Sequence, residues 1–312
     1  MEIFLPIAHM DVNLVTIVLF GGVVGLLSGL VGVGGGFLIT PLLIFIGVPP
    51  LVAVATGAAQ IVGTSAAGSY AHWRLGNIDF KMGIVLLLGS WTGGSAGVYL
   101  ARMLQQGGHF GNIVTFLYVV LLGIVGTSML FESVKTIYVR SGVKAGSDKR
   151  KKDSGGGWLS AVGERLPGQM EFPVSRLRIS FLVPLLLGVS VGVLTSLMGV
   201  GGGFIMVPVM IYMLKMPTKV VVGTSLFQLL FTTAVVASMQ AGVNHAVDPF
   251  LALILILGSA FGTQWGTRLS VKLPGEKLRL VLALVVVAVT VKMLVGILIR
   301  PEELYNMAVV AG

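Results

Sequence analysis

Long apolar runs, separated by short polar stretches, dominate the chain. They fall at positions 12–30, 37–46, 51–73, 82–103 and 112–131, and, after one polar interval, at 179–197, 204–214, 220–240, 250–269 and 278–299. A helix rises about 1.5 Å per residue, so crossing a hydrocarbon layer about 30 Å thick takes about 20 residues. Eight of the ten runs are long enough. The two short ones, 37–46 and 204–214, hold matching places in the order and are predicted as half-helices broken at membrane depth. The pattern predicts an all-α, polytopic membrane protein of about ten segments. Repeat one covers 12–131, a polar loop 132–178, and repeat two 179–299.

The matching places reflect an internal repeat. Gly25-Leu-Leu-Ser-Gly-Leu-Val-Gly-Val-Gly-Gly-Gly-Phe37 aligns with Gly192-Val-Leu-Thr-Ser-Leu-Met-Gly-Val-Gly-Gly-Gly-Phe204, and Pro41 follows at the same distance as Pro208. Further on, Thr56-x3-Gln60-x3-Thr64 aligns with Thr224-x3-Gln228-x3-Thr232, and Asp79 with Asp248. The ladder Gly89, Gly93, Gly97 aligns with Gly258, Gly262, Gly266.

Charge then orients the repeats. Residues 131–178 hold ten of the 21 Lys and Arg residues beside five acidic ones, which places this loop on the cytoplasmic side. If all five segments of each repeat cross, Arg74 and Lys81 lie inside, and so do Lys215, Lys219, Arg268, Lys272, Lys277 and Arg279. Each partner loop in the other repeat is poor in Lys and Arg. The expectation is two five-segment repeats inserted in opposite orientations. If both short segments are re-entrant, the repeats lie parallel and the last four of those cations move outside; this arrangement is disfavoured.

Composition changes the picture in a few places. Hydrophobic residues make up 55% and charged residues only 11%, against roughly 25% charged in a soluble domain. Most of the surface therefore faces lipid, in a multi-pass cell-membrane protein. The net charge of +9 is concentrated in the central loop without a basic–aromatic face, so nucleic acid is not an expected partner. There are no cysteines, which excludes thiol chemistry. The first run follows an acidic leader (Glu2, Asp11) and reads as a first membrane helix, not a cleaved signal.

Candidate chemistry starts with the glycines. A glycine run weakens a helix by about 1 kcal/mol per residue, so Gly32–Gly36 and Gly199–Gly203 are expected to break one. Each run opens a short segment whose Pro is placed near a first turn, where no backbone bond is lost. Free N–H groups at such a helix start, together with the positive dipole end, bind an anion without a charged side chain. The residues expected to do so are Gly34, Gly35, Gly36 and Phe37, with Gly201, Gly202, Gly203 and Phe204. The alternative is that the glycines only permit close helix crossing. Spacing of four places Thr56, Gln60 and Thr64 on one helical face, as it does Thr224, Gln228 and Thr232. Their amides and hydroxyls are candidate substrate donors, or else interhelical contacts. Ser65 and Thr233 extend the two stripes.

The glycine ladders read as small-residue packing faces, and Asp79 and Asp248 as helix N-caps. His72 reads as an interfacial anchor. Lys292, the one ionisable residue well inside an apolar run, reads as snorkelling to the interface. All twelve Asp and Glu residues lie in loops, termini or helix ends, which argues against a cation or carboxylate-relay pathway. No catalytic cluster, metal site or cofactor motif is present at workable spacing.

Gly-x6-Gly-Val-Gly-Gly-Gly-Phe followed by Pro, once in each half, resembles the sulfite exporter TauE/SafE family over nearly the whole chain. The resemblance implies transport of sulfur-containing oxyanions such as sulfite, sulfoacetate or related organosulfonates, usually by export from bacteria across the inner membrane. It also leaves room for other small organic anions. The expected function is alternating access at a midplane site between two half-helix N-termini. The partners are a small anion and the lipid bilayer, with a homo-oligomer left open. Rival readings are an anion channel and a membrane scaffold that recruits a partner through Lys149–Lys152.

Overall fold

The computed structural model describes residues 2–31, 34–142, 167–175, 177–272 and 275–298. Gly32 and Val33 of the first glycine run, and the Lys149–Lys152 cluster, lie outside the described residues. The first half contains α1 (Leu14–Val31), α2 (Gly36–Phe45), α3 (Pro50–Arg74), α4 (Phe80–Gln106) and α5 (Phe110–Gly142). The second contains α6 (Leu182–Met198), α7 (Gly203–Pro208), α8 (Thr218–Asn244), α9 (Pro249–Lys272) and α10 (Gly275–Leu298). The chain is an all-α multi-pass membrane protein. Among the described residues, five helices, in α3, α4, α5, α8 and α9, are long and apolar enough to span a bilayer.

Helices α1 and α6 start two and three residues later than their apolar runs, because strands take over the leading residues. Each half opens with a β-hairpin: β1 (Glu2–Leu5) with β2 (Met10–Asn13), and β3 (Gln169–Phe172) with β4 (Leu177–Ser180). Glu2 pairs with Asn13 and Gln169 with Ser180, at the offset that relates Phe37 to Phe204. The repeat thus begins before the first membrane helix. Strand β3 and the first two residues of β4 fall in the stretch that reads from sequence as loop, and α5 continues to Gly142.

The two short segments are half-length helices, and each departs from the expectation about proline. Pro41 is the sixth residue of α2 and Pro208 the sixth of α7, beyond the first turn. A proline there cannot donate to the carbonyl four residues back, so Phe37 and Phe204 each lose a helical partner. In the second half the backbone responds by widening into a π-helical turn, Val209–Met213, directly after Pro208.

The helix contacts are the same when the halves are exchanged. Helix α1 packs on α9 as α6 packs on α4; α3 packs on α8, and α5 on α10. Glycine makes the first two contacts possible. A methyl group added at Gly25 would overlap the Ser259 carbonyl, and at Gly262 the Gly22 carbonyl. Gly89 and Gly93 meet Leu185 and Val189 in the same way, and Gly192 meets Ser90. Residue numbers rise together along both interfaces, so the paired helices run parallel. Helices α3 and α8 run antiparallel, with Ile61 and Leu229 meeting at Gly201 and His72 beside Gly223. The ladders are therefore packing faces, as their spacing predicts.

Candidate functional site

Both half-helices start from a left-handed glycine. Gly34 and Gly35 have φ of +84° and +72°, and Gly201 and Gly202 +73° and +72°. A side chain is strained in that region, which explains the glycine clusters independently of packing. Gly35 caps α2 and Gly202 caps α7, neither with a side-chain bond. Leu38 and Ile205 donate their N–H groups to the Gly35 and Gly202 carbonyls, and helix geometry gives the N–H groups before them no acceptor within the helix. The two starts converge: the Phe37 and Phe204 rings stack with centroids 4.4 Å apart and planes 16° apart. Both phenylalanines are buried.

The second glycine cluster lies against α3. Gly199 abuts Val54 and Thr40, and Gly36 lies beside the Gly199 carbonyl and Ile61. Tyr118 of α5 donates its buried hydroxyl to the Met198 carbonyl at the end of α6. No repeat or motif marks this tyrosine in the sequence.

All six stripe residues are buried, but they divide by role. Thr56 and Thr224 do not face the glycine breaks. Thr56 Oγ1 accepts the Asp248 N–H at 3.1 Å, and Thr224 Oγ1 the Asp79 N–H at 3.0 Å. Each aspartate caps its helix: Asp79 accepts from Met82 N–H, Asp248 from Phe250 and Leu251 N–H, all at 3.1 Å. The second oxygen of each carboxylate takes a hairpin turn. Asp79 Oδ2 accepts from Ser175 N–H at 2.9 Å and Ser175 Oγ at 2.6 Å, while Asp248 Oδ2 accepts from Ile7 N–H at 3.1 Å. Each hairpin is thus fastened to a helix cap of the opposite half. The signal was Pro6 and Pro173, one in each turn at the repeat offset.

Thr64, by contrast, does reach the break, donating to the Gly34 carbonyl at 3.4 Å and the Ile61 carbonyl at 3.1 Å. Ser65 Oγ lies beside Gly34 without a partner. Gln60 is fully buried and both ends of its amide are unpaired. Gln228 is half satisfied: Nε2 donates to Ser90 Oγ at 2.7 Å and to Thr232 Oγ1 at 3.0 Å, while Oε1 has no partner. Buried polar groups in proteins are nearly always paired, and leaving one unpaired costs about 1–3 kcal/mol. The unpaired Ser65 hydroxyl beside Gly34, and the Gln60 amide one helical turn before Thr64, are donors free to meet an anion. Elsewhere, Lys292 holds its ammonium 4.2 Å from the centre of the Phe45 ring, at the far end of α2.

Sequence comparison gives this architecture its family. The sulfite exporter TauE/SafE profile matches residues 17–293. The chain belongs to the sulfite exporter TauE/SafE family. Among similar proteins, two from Bacillus subtilis are described as probable membrane transporters. YunE is 25% identical, with 89% of this chain and 96% of the relative aligned; YjnA is 28% identical, with 90% and 99% aligned. The archaeal MJ0441 of Methanocaldococcus jannaschii, described likewise, is 24% identical over 86% and 90% of the two chains. No solved structure matches the chain. This TauE/SafE protein is a membrane transport protein, and the duplicated glycine breaks lie inside the matched region.

Proposed function

We propose that this TauE/SafE protein carries a small sulfur-containing oxyanion, such as sulfite, sulfoacetate or a related organosulfonate, out of the cell by alternating access. The observation that carries the reading is the meeting of two glycine-started half-helices at Phe37 and Phe204, with the unpaired Gln60 amide buried on α3 one turn from Thr64, which reaches Gly34. Backbone dipoles and neutral donors hold an anion without binding it too tightly for release. The sulfur in the proposal rests on the family's description. The two halves are inferred to sit upside down relative to each other. Supporting this, α3 and α8 are equivalent helices yet run antiparallel, and equivalent loops carry opposite charge bias. Alternating access then rocks one bundle against the other about the midplane. An inside-negative potential of 100 mV contributes about 2.3 kcal/mol per expelled charge, a gradient of roughly fiftyfold.

The test is uptake of labelled sulfite, sulfoacetate and lactate into proteoliposomes. Saturable flux of a sulfur anion, reduced at least tenfold by Gln60→Ala and by Gln228→Ala, is the expected result. Preference for lactate refutes the sulfur assignment, and unchanged flux in both variants refutes the site. Unitary currents in planar bilayers would replace the carrier with a channel.

A further inference from the structure

The halves carry the same glutamine and use it differently. On α8, Gln228 closes a short chain with Ser90 and Thr232. On α3, the equivalent Gln60 is unpaired at both ends. The spacing that relates Asp79 to Asp248 relates Ser90 to Ser259. Ser259 is fully buried on α9, but its hydroxyl is turned to its own Ile256 carbonyl at 3.1 Å. Thr64, the equivalent of Thr232, donates to Gly34 and Ile61. The same three residue types are joined around Gln228 and apart around Gln60, where an amide is left over.

We propose that the substrate anion is held by one glutamine at a time, and that Ser90 and Ser259 are the positioning hydroxyls that take the idle amide in turn. In the arrangement described here, the Gln60 amide and the Ser65 hydroxyl serve an oxyanion at the start of α2, a ten-residue helix, while Gln228 rests on Ser90. In the opposite-facing arrangement Gln60 rests on Ser259 and Thr64, and Gln228 is released to the anion. This exchange rests on the carrier reading above. It deepens that reading by making the two equivalent amides alternate instead of clamping the substrate together. The substrate class it selects has several acceptor oxygens on one centre, so that an amide N–H, a hydroxyl and backbone N–H groups can share it.

The experiment uses full-length protein inserted in one orientation in proteoliposomes. The KM for sulfite and for sulfoacetate is taken separately from each face. Ser90→Ala removes the rest for Gln228 and tilts the balance away from the present arrangement; Ser259→Ala tilts it the other way. The ratio of KM at the two faces should move about fivefold, the effect of one buried hydrogen bond, in opposite directions in the two variants. The double variant should return the ratio toward wild type. Shifts in the same direction, or none, with wild-type flux intact, overturn the exchange and leave the carrier reading standing. Wild-type protein that moves neither anion overturns both. If an alanine variant does not fold, Ser90→Cys and Ser259→Cys test the same ratio by the same criteria.

Discussion

The two halves of this TauE/SafE protein share a fold and differ in how fully their midplane polar groups are paired. Both have a hairpin, an aspartate cap that holds the opposite hairpin, a glycine-started half-helix and a Thr-Gln-Thr face. In the second half the amide of Gln228 is engaged by Ser90 and Thr232, and Tyr118 reaches the end of α6. In the first, Gln60 and Ser65 are bare. Hairpins, caps and glycine seams have been kept equal by the repeat; apart from the π-helical turn after Pro208 and the Tyr118 bond, the inequality falls on groups proposed to meet a substrate. That separation sets residues that hold the fold apart from residues proposed to meet the substrate, although both kinds are buried and polar.

The sharpest way to break the comparison is to fill the shared glycine faces. Gly25→Leu and Gly192→Leu drive a side chain into the backbone of Ser259 and of Ser90 respectively. Each should cost about 3 kcal/mol or more, seen as loss of monodisperse protein on size-exclusion chromatography, and to a similar degree in both. Next are the caps. Asp79→Ala and Asp248→Ala each strand three donors, and each should cost about 2–3 kcal/mol in thermal unfolding of the solubilised protein. A large difference between the two would break the equivalence of the hairpin fastenings.

The glutamines should split. Gln60→Leu removes a group with no partners and should raise stability by about 1 kcal/mol while abolishing flux; Gln228→Leu should lower stability by about as much, since Ser90 and Thr232 lose a donor. Equal stability changes would mean that the pairing difference has no energetic content. The smallest effect belongs to Lys292→Ala, which removes the contact with Phe45 and should cost about 0.5–1 kcal/mol without changing substrate preference.

Much of this architecture is legible in the residues. The two glycine clusters beside short apolar runs locate the half-helices, because repeated glycine is costly in a helix and these positions have φ values that favour glycine. The period-four faces align Gln60 with Thr64 and Gln228 with Thr232, all four of them buried, and the small-residue ladders foretell the close crossings. The hairpins escaped because strands of four residues carry too little alternation to stand out beside membrane helices. Thr56 and Thr224 share a helical face with the glutamines, yet each hydroxyl accepts an aspartate N–H; periodicity gives a face and cannot give a partner. The difference between Gln60 and Gln228 was illegible for a deeper reason. Both halves spell the same motif, so only a three-dimensional arrangement can make equal letters unequal.

The parallel glycine contacts have a consequence for how the molecule comes apart. Helix α1 is seated on α9, and α6 on α4, so the tightest seams join one half to the other. A rigid piece that keeps these seams intact is a composite, stitched from early residues of one half and late residues of the other. Cutting the chain at its central linker would yield two fragments that are each incomplete, interlaced like clasped hands. An ancestor half this length could have reached the same shape only by embracing a second copy of itself.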